Sequence, residues 1–233
     1  MSIEEDEIMT TELMKRVRVF IDELSTVYPI RLDIQEHFTA IFFTEKKKRY
    51  AGITDNGEIV IKGLEVRRGD WCALAKNLQS EVISMILKNR DPEAAARLVA
   101  DTIKKLRAGE VPLDQLTIYK TLTKKITSYE SMQAHVKAAQ RAKQYGLSAE
   151  VGAKVAYIVL KGSGKIGDRS YPADVLTKKN GKLVDTKSEE KEIDVDYYVT
   201  HQILPSVGRV LNYFGYNDSN LAGKPLQKTL DHF

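Results

Sequence analysis

The chain is poor in cysteine and histidine. A single cysteine, Cys72, in 233 residues excludes an internal disulfide framework and suits a reducing cytoplasm. The four histidines, His37, His135, His201 and His232, are scattered, so no metal-ligand spacing is present. No apolar run approaches the length that spans a bilayer, and no internal repeat occurs. The N-terminus is acidic (Glu4, Glu5, Asp6, Glu7), the opposite of a secretory signal. A cytoplasmic protein without a membrane partner is expected. The net charge is only +4, so this is no histone-like polycation. Any nucleic-acid binding must come from local clustering of cations.

One such cluster is present. Lys46-Lys47-Lys48-Arg49-Tyr50 places four cations in a row before an aromatic ring. It lies between the apolar Ala40-Ile41-Phe42-Phe43 and the hairpin signal Asp55-Asn56-Gly57. Like charges held side by side repel, and a polyanion relieves that repulsion. In a loose tail the run would be a generic basic arm. Set within a sheet, its side chains have fixed directions and suit sugar-phosphate oxygens, which carry no base sequence. The alternative is a solvated turn.

Periodicity places the elements around this run. Leu13, Val17, Phe20, Ile21 and Leu24 predict an amphipathic helix over 10–26, after a flexible acidic leader over residues 1–9. Pro29 ends the helix. Residues 31–43 shift toward strand alternation, residues 50–54 form a second strand, and Asn56-Gly57 predicts a type I′ turn into a strand over 58–62. The basic run falls at the start of the middle strand. Asp70 is the expected N-cap of a long helix carrying Leu74, Leu78, Val82 and Ile86. Asp91-Pro92 opens a second helix and Gly109 closes it. Residues 116–125 are expected to be extended, 131–145 helical with Gly146 as the residue beyond its C-cap, and 155–160 a strand. Residues 178–192 are expected to be a charged loop. A last helix spans 194–214, bent near Pro205. The fold class is α+β, with a domain boundary near residues 66–70.

Other constellations have bland alternatives. Lys120, Lys124 and Lys125, and Lys137, Arg141 and Lys143 on the third helix, suit either phosphate contact or a solvated face. Arg67 and Arg68 suit either DNA or a local ion pair with Glu65 or Asp70. Lys161-Gly-Ser-Gly-Lys165 lacks the full phosphate-loop pattern and reads as a glycine-rich hairpin. Cys72 beside Trp71 in an apolar stripe reads as a buried, inert thiol. Asp194 and Asp196 read as a cap and a first-turn acid rather than metal ligands. At the C-terminus, Gln227, Leu230, His232 and Phe233 belong to a Q-x-x-aliphatic-x-x-aromatic stretch. One helical turn would bring Leu230 and Phe233 to one side, as in helix-in-groove recognition.

The run Phe42 to Gly52 resembles the K-K-[KR]-Y motif of family B DNA polymerases. Lys62-Gly63-Leu64-Glu65 through Arg68-Gly69-Asp70-Trp71 resembles that family's palm–thumb junction. Leu116 to Lys124, and Tyr129 with His135-Val136, resemble its thumb segments, although Ala134 stands where the family has proline. Asp194, Tyr197, Tyr198, Gln202, Leu204, Pro205 and Arg209 resemble its last thumb helix. The tail resembles the peptide that binds the sliding clamp (PCNA).

The resemblance implies the C-terminal part of a palm over 10–69, a mostly helical thumb over 70–215, and a flexible tail with a clamp-binding peptide over 216–233. It implies DNA contacts at Lys47, Lys48, Arg49, Tyr50, Arg67, Arg68, Lys120, Lys124 and His135, and clamp contacts at Gln227, Leu230, His232 and Phe233. The family's Y-x-D-T-D-S and S-L-Y-P-S segments, its fingers and its exonuclease acids are absent. The chain therefore looks like the small polypeptide of a split archaeal polymerase. It is expected to be inactive alone, with no catalytic or metal residue of its own, and to meet Mg²⁺ only in the assembled enzyme. A large catalytic chain, primer–template DNA and the sliding clamp are its expected partners. A non-catalytic duplex-binding clamp adaptor is the alternative.

Overall fold

The computed structural model of the chain describes residues 3–179 and 182–223, with residues 3–10 described as backbone. Packing divides it into two compact units, 1–39 and 40–233.

The first unit is dominated by helix α1, Ile3–Val27. It begins well before Thr10, so the acidic stretch falls in its first two turns rather than in a flexible leader. The apolar spacing is helical as expected, yet Leu13 and Phe20 remain 59% exposed and Val27 70%. Residues 31–37 form no strand, despite their alternation.

The second unit opens on a three-stranded sheet, β1 (Phe38–Phe43), β2 (Tyr50–Thr54) and β3 (Ile59–Lys62), in that order. β2 and β3 are antiparallel, with Tyr50 opposite Lys62. Their connection is not the expected type I′ turn. It is a four-residue connection, 55–58, in which only Gly57 is left-handed (φ 81°), closed by Gly57 N donating to Thr54 O at 3.0 Å.

The basic run also shifts relative to its expected place. Its three lysines occupy the β1–β2 turn, where water reaches them, and only Tyr50 enters β2. Thr44 N donates to Arg49 O at 3.1 Å to close that turn, and Lys48 adopts a left-handed φ of 62°.

Gly63 holds this turn from below. Its own φ is 66°, and a Cβ there would collide with the Lys48 carbonyl oxygen and lie 3.0 Å from Arg49 Cγ. Gly63→Ala is therefore expected to cost at least about 1 kcal/mol, combining a left-handed backbone with a backbone collision. Thermal unfolding should show it as a fall of at least about 2–4 °C. An unchanged midpoint would contradict the close approach.

Helix α2 (Ala73–Ser84) runs on into a π-helical turn, Met85–Asn89, before α3 (Pro92–Arg107). Asp91 caps α3 by accepting from Ala94 N at 2.8 Å, with Pro92 in the first turn, as the sequence predicts. Asp70 does not cap α2. The cap position is Cys72, whose backbone N donates to Gln202 Oε1 at 2.9 Å. A side chain from the last helix thus satisfies a donor that a local cap would otherwise take. Cys72 is fully buried, and burial pushes its thiol up to about 11.

After α4 (Leu113–Leu116) comes a second antiparallel sheet, β4 (Ile118–Thr121), β5 (Lys154–Val159) and β6 (Ser170–Pro172), with α5 (Ala134–Gln144) inserted between β4 and β5. The Lys161–Lys165 segment forms a bend leading to a 3₁₀ turn, Ile166–Arg169, packed on α5. Arg141 donates to the carbonyls of Asp168 and Ser170 at 2.5 Å each, and Lys137 lies 3.6 Å from Asp168. Two of the three α5 cations are thus committed to internal contacts.

The expected charged loop is instead a third sheet, β7 (Leu176–Lys179), β8 (Lys182–Asp185) and β9 (Glu190–Lys191). Its charges mask a short apolar pair, Leu183 and Val184, which is buried. Asp185 organises the β8–β9 turn by accepting from Lys187 N and Glu189 N at 3.0 Å each, and from Tyr145 OH at 2.9 Å.

The last long helix is α6 (Val195–Tyr198), a π-helical turn Val199–Ile203, and α7 (Leu204–Leu211), followed by the short α8 (Asp218–Leu221). The π turn stands just before Pro205, which lacks an N–H and crowds the preceding turn. Asp194 caps α6 through Tyr197 N at 2.9 Å, and buried Tyr198 accepts from Val159 N at 3.1 Å.

One hydrophobic core runs from Ala51, Ile61 and Leu64 through α2, α3 and α7 to Leu221. The segments on either side of the expected boundary at 66–70 therefore share it. The protein is α+β. Among the described residues, no helix is long and apolar enough to cross a membrane.

Candidate nucleic-acid interface

Two places gather the cations. At the first, Lys46, Lys47 and Lys48 stand exposed on the β1–β2 turn, while Arg49 and Tyr50 fold inward. The Tyr50 ring packs 5.9 Å from that of Phe43. Arg49 reaches Glu65, a carboxylate with no exposed surface, at 3.5 Å. Arg209 from α7 pairs with the same Glu65 oxygen. Gln79 donates to the other oxygen at 2.9 Å and to Ser206 O at 2.6 Å, and accepts from Val66 N at 2.8 Å.

This network ties the sheet, α2 and α7 together beneath the lysines. Arg49, expected to touch DNA, is thus drawn into the fold, its side chain only 21% exposed. Arg68 also turns to a local partner. Its Nε and Nη2 donate to the Asp70 carboxylate at 3.1 and 2.8 Å. Arg67 is exposed at the end of a 3₁₀ turn, Glu65–Arg67.

The second place is a cleft of about 340 Å³ at the start of α5, lined by Lys120, Lys124, Tyr129, Gln133 and His135. Lys120 Nζ donates to Gln133 Oε1 at 3.4 Å, and Lys124 Nζ stands 5.4 Å over the Tyr129 ring. Tyr129 OH accepts from Thr123 N at 2.9 Å, and its ring meets His135 edge-on at 5.7 Å. α5 has no side-chain cap and no acid in its first turn. The start of α5 and two lysines thus line one opening, an arrangement that suits a phosphate.

His135 itself is 2% exposed. Burial and the nearby Lys120 charge hold its ring well below the usual range, at about 4. It therefore packs as a neutral imidazole and adds no positive charge at neutral pH.

A pH dependence follows. Between about 4 and 6.5 the unfolded chain binds a proton that the folded ring refuses. The stability this site lends is full above about pH 6.5 and is lost as pH falls toward about 4. On moving from about pH 7 to about pH 4.5, the wild type should lose several °C of Tm relative to His135→Gln. Parallel melting curves would contradict the burial of a neutral ring.

Of the expected site residues, the structure brings Lys120, Lys124 and His135 into one cleft and leaves Lys47 and Lys48 free on the turn. Gln227, Leu230, His232 and Phe233 lie outside the described residues. The residues whose roles the sequence concealed are Glu65, Gln79 and Arg209. Glu65 and Arg209 stand in recognisable motifs, but no spacing tells that positions 49, 65 and 209 meet.

The chain matches the family model "DNA polymerase family B" over residues 4–214, and it belongs to that family. It is similar to a DNA polymerase of Archaeoglobus fulgidus, 50% identical over 97% of this chain and 29% of that protein. It is also similar to DNA polymerase 2 of Aeropyrum pernix, 38% identical over 95% of this chain and 26% of that one. Among solved structures, the family B DNA polymerase of Pyrobaculum calidifontis matches with a TM-score of 0.66 and 32% identity, covering 86% of this chain and 25% of that one. The chain thus spans less than a third of the length of these relatives.

Proposed function

We propose that this chain is the duplex-gripping part of a DNA-directed DNA polymerase that works in replication. It is the small subunit of an enzyme whose large polypeptide carries the metal-binding carboxylates, the fingers and the proofreading acids. Residues 10–69 complete the palm, 70–215 form the thumb, and 216–233 carry the tether to the sliding clamp (PCNA). The observation that carries this reading is the fixing of the exposed lysines. Gly63 holds their turn from one side and the Arg49–Glu65–Arg209 network from another. Cations so placed grip a sugar-phosphate backbone without reading bases, as a polymerase must.

The α5 cleft supplies a second backbone contact through Lys120, Lys124 and the first amides of the helix. Lys47 and Lys48 contribute charge, Tyr50 fixes the run in β2, and His135 packs under the cleft. Two-metal phosphoryl transfer requires clustered carboxylates. Among the described residues no three of His, Cys, Asp and Glu gather into a metal site. In this reading Mg²⁺ belongs with the large chain's acids, and no metal step is assigned to these residues.

Docking of the large chain is supported by exposed apolar side chains in each unit taken by itself: Leu13 and Phe20 on α1 in the first, and Phe43 on the edge strand β1 in the second, each at least 59% exposed. Co-expression with the large polypeptide tests this. A one-to-one complex that survives purification is expected, and Leu13→Glu with Phe20→Glu should break it. A chain that binds clamp and duplex but no large polypeptide would favour the clamp-adaptor alternative.

A further inference from the structure

The chain leaves the fold for its tail at a fixed corner. Leu221 of α8 is buried, at 1% exposure, and Arg107 Nη1 at the end of α3 donates to Ala222 O at 3.3 Å. Gln227, the first of the tail residues assigned to the clamp, lies four residues beyond Gly223. Four extended residues span at most about 14 Å. A protein that grips Gln227 therefore comes within about 14 Å of Gly223, beside the end of α3. That corner is basic. The last turn of α3 carries Lys104, Lys105 and Arg107, all exposed. Lys178 joins them from β7, its Nζ donating to Gly109 O at 3.1 Å. Arg97, earlier on α3, pairs with Glu93 at 2.6 Å, but among the described residues none of these four cations pairs with a carboxylate. Asp101 and Glu110 are the acids nearest in sequence to the α3 cations, and they leave the corner with net positive charge.

We infer that the end of α3 is a second docking surface for the protein that holds the tail, and that this protein meets it with acidic side chains. The inference rests on the tether reading above and adds a contact to it. The dipole of α3 favours cations in its last turn, whatever lies outside. What points outward is the place, because the tail's receptor stands beside these cations whenever it holds Gln227. A duplex is also drawn to cations, but no segment of the chain tethers one to this corner. The two contacts differ in kind, one apolar through Leu230 and Phe233, the other ionic through α3. Once the tail is held, the second contact forms within one complex at high effective concentration, so modest surface ion pairs suffice. Together they restrict the angle at which the chain stands on the clamp, and salt weakens only the ionic one.

Affinity of the full chain for purified sliding clamp, measured at about 50 mM and about 300 mM salt, tests this. Lys104→Glu with Lys105→Glu should weaken binding about tenfold at the lower salt and less than about threefold at the higher, since the lost contact is ionic. Lys88→Glu reverses an exposed charge beyond the other end of α3 and should change affinity less than about twofold at either salt. Leu230→Ala with Phe233→Ala should abolish binding at both. If the α3 lysines serve only their own helix, their reversal lowers Tm and leaves clamp affinity unchanged. If they meet duplex instead, it weakens primer–template affinity and leaves clamp affinity unchanged. Either result overturns the inference while the tether, carried by Leu230 and Phe233, stands. Equal weakening by Lys88→Glu would mark a general charge effect and would overturn it too. A wild type that does not bind the clamp removes the tether reading, and this inference with it.

Discussion

Glu65→Ala is expected to lower the stability of the chain by about 3 kcal/mol, the largest single effect of any substitution considered. Glu65 has no exposed surface and sits against Arg49, Arg209 and Gln79. Removing it leaves two guanidiniums facing each other with no acid between them. Their partial exposure relieves some of the penalty, which is why the figure lies at the low end for a broken buried pair. Urea unfolding measures it as a fall in midpoint without a change in slope. A companion variant separates charge imbalance from simple loss of volume. With Arg49→Met, Glu65→Leu and Arg209→Met combined, about half of the loss should return, because well-packed apolar residues can replace a buried ion group. A Glu65→Ala chain within about 0.5 kcal/mol of wild type would mean that the network does not hold the sheet to α7.

The second large effect is on binding. Lys47→Ala with Lys48→Ala should weaken primer–template affinity about ten- to hundredfold at moderate salt and reduce the salt slope by about two, one for each lost phosphate contact. Stability should stay within about 0.5 kcal/mol, since both side chains are exposed. Association with the large polypeptide should also be unaffected. Arg49→Ala should behave differently, with a clear fall in stability through its link to Glu65. Equal behaviour of all three positions would contradict the division of the basic run into exposed lysines and an internal arginine.

That division shows where the sequence was legible. The run Lys46–Tyr50 stood out by composition, and its hairpin setting followed from the flanking apolar residues and from Gly57. Helix ends that rest on local chemistry were also legible, such as Asp91 with Pro92, and Gly109. What escaped were features set by residues distant in the chain. Asp70 looks like a cap, yet Gln202, 130 positions away, satisfies the Cys72 amide and frees Asp70 for Arg68. Arg49 looks like a DNA contact, yet its partner is a carboxylate that only folding brings beneath it. The segment 178–192 reads as a loop because charge dominates it, and only burial of Leu183 and Val184 makes it a sheet. For the α5 cations the bland alternative prevailed at Lys137 and Arg141, which face the 3₁₀ turn at Ile166–Arg169. At Lys120 and Lys124 the structure supplies the cleft that sequence could not.

Primer extension tests the central claim most directly. The chain alone, the large polypeptide alone and the two mixed are each supplied with primer–template, Mg²⁺ and deoxynucleotides. No extension by this chain is expected, weak or short extension by the large polypeptide, and processive extension by the mixture that is lost when Lys47 and Lys48 become alanine. Extension by this chain alone, or a mixture no more active than the large polypeptide, would contradict it.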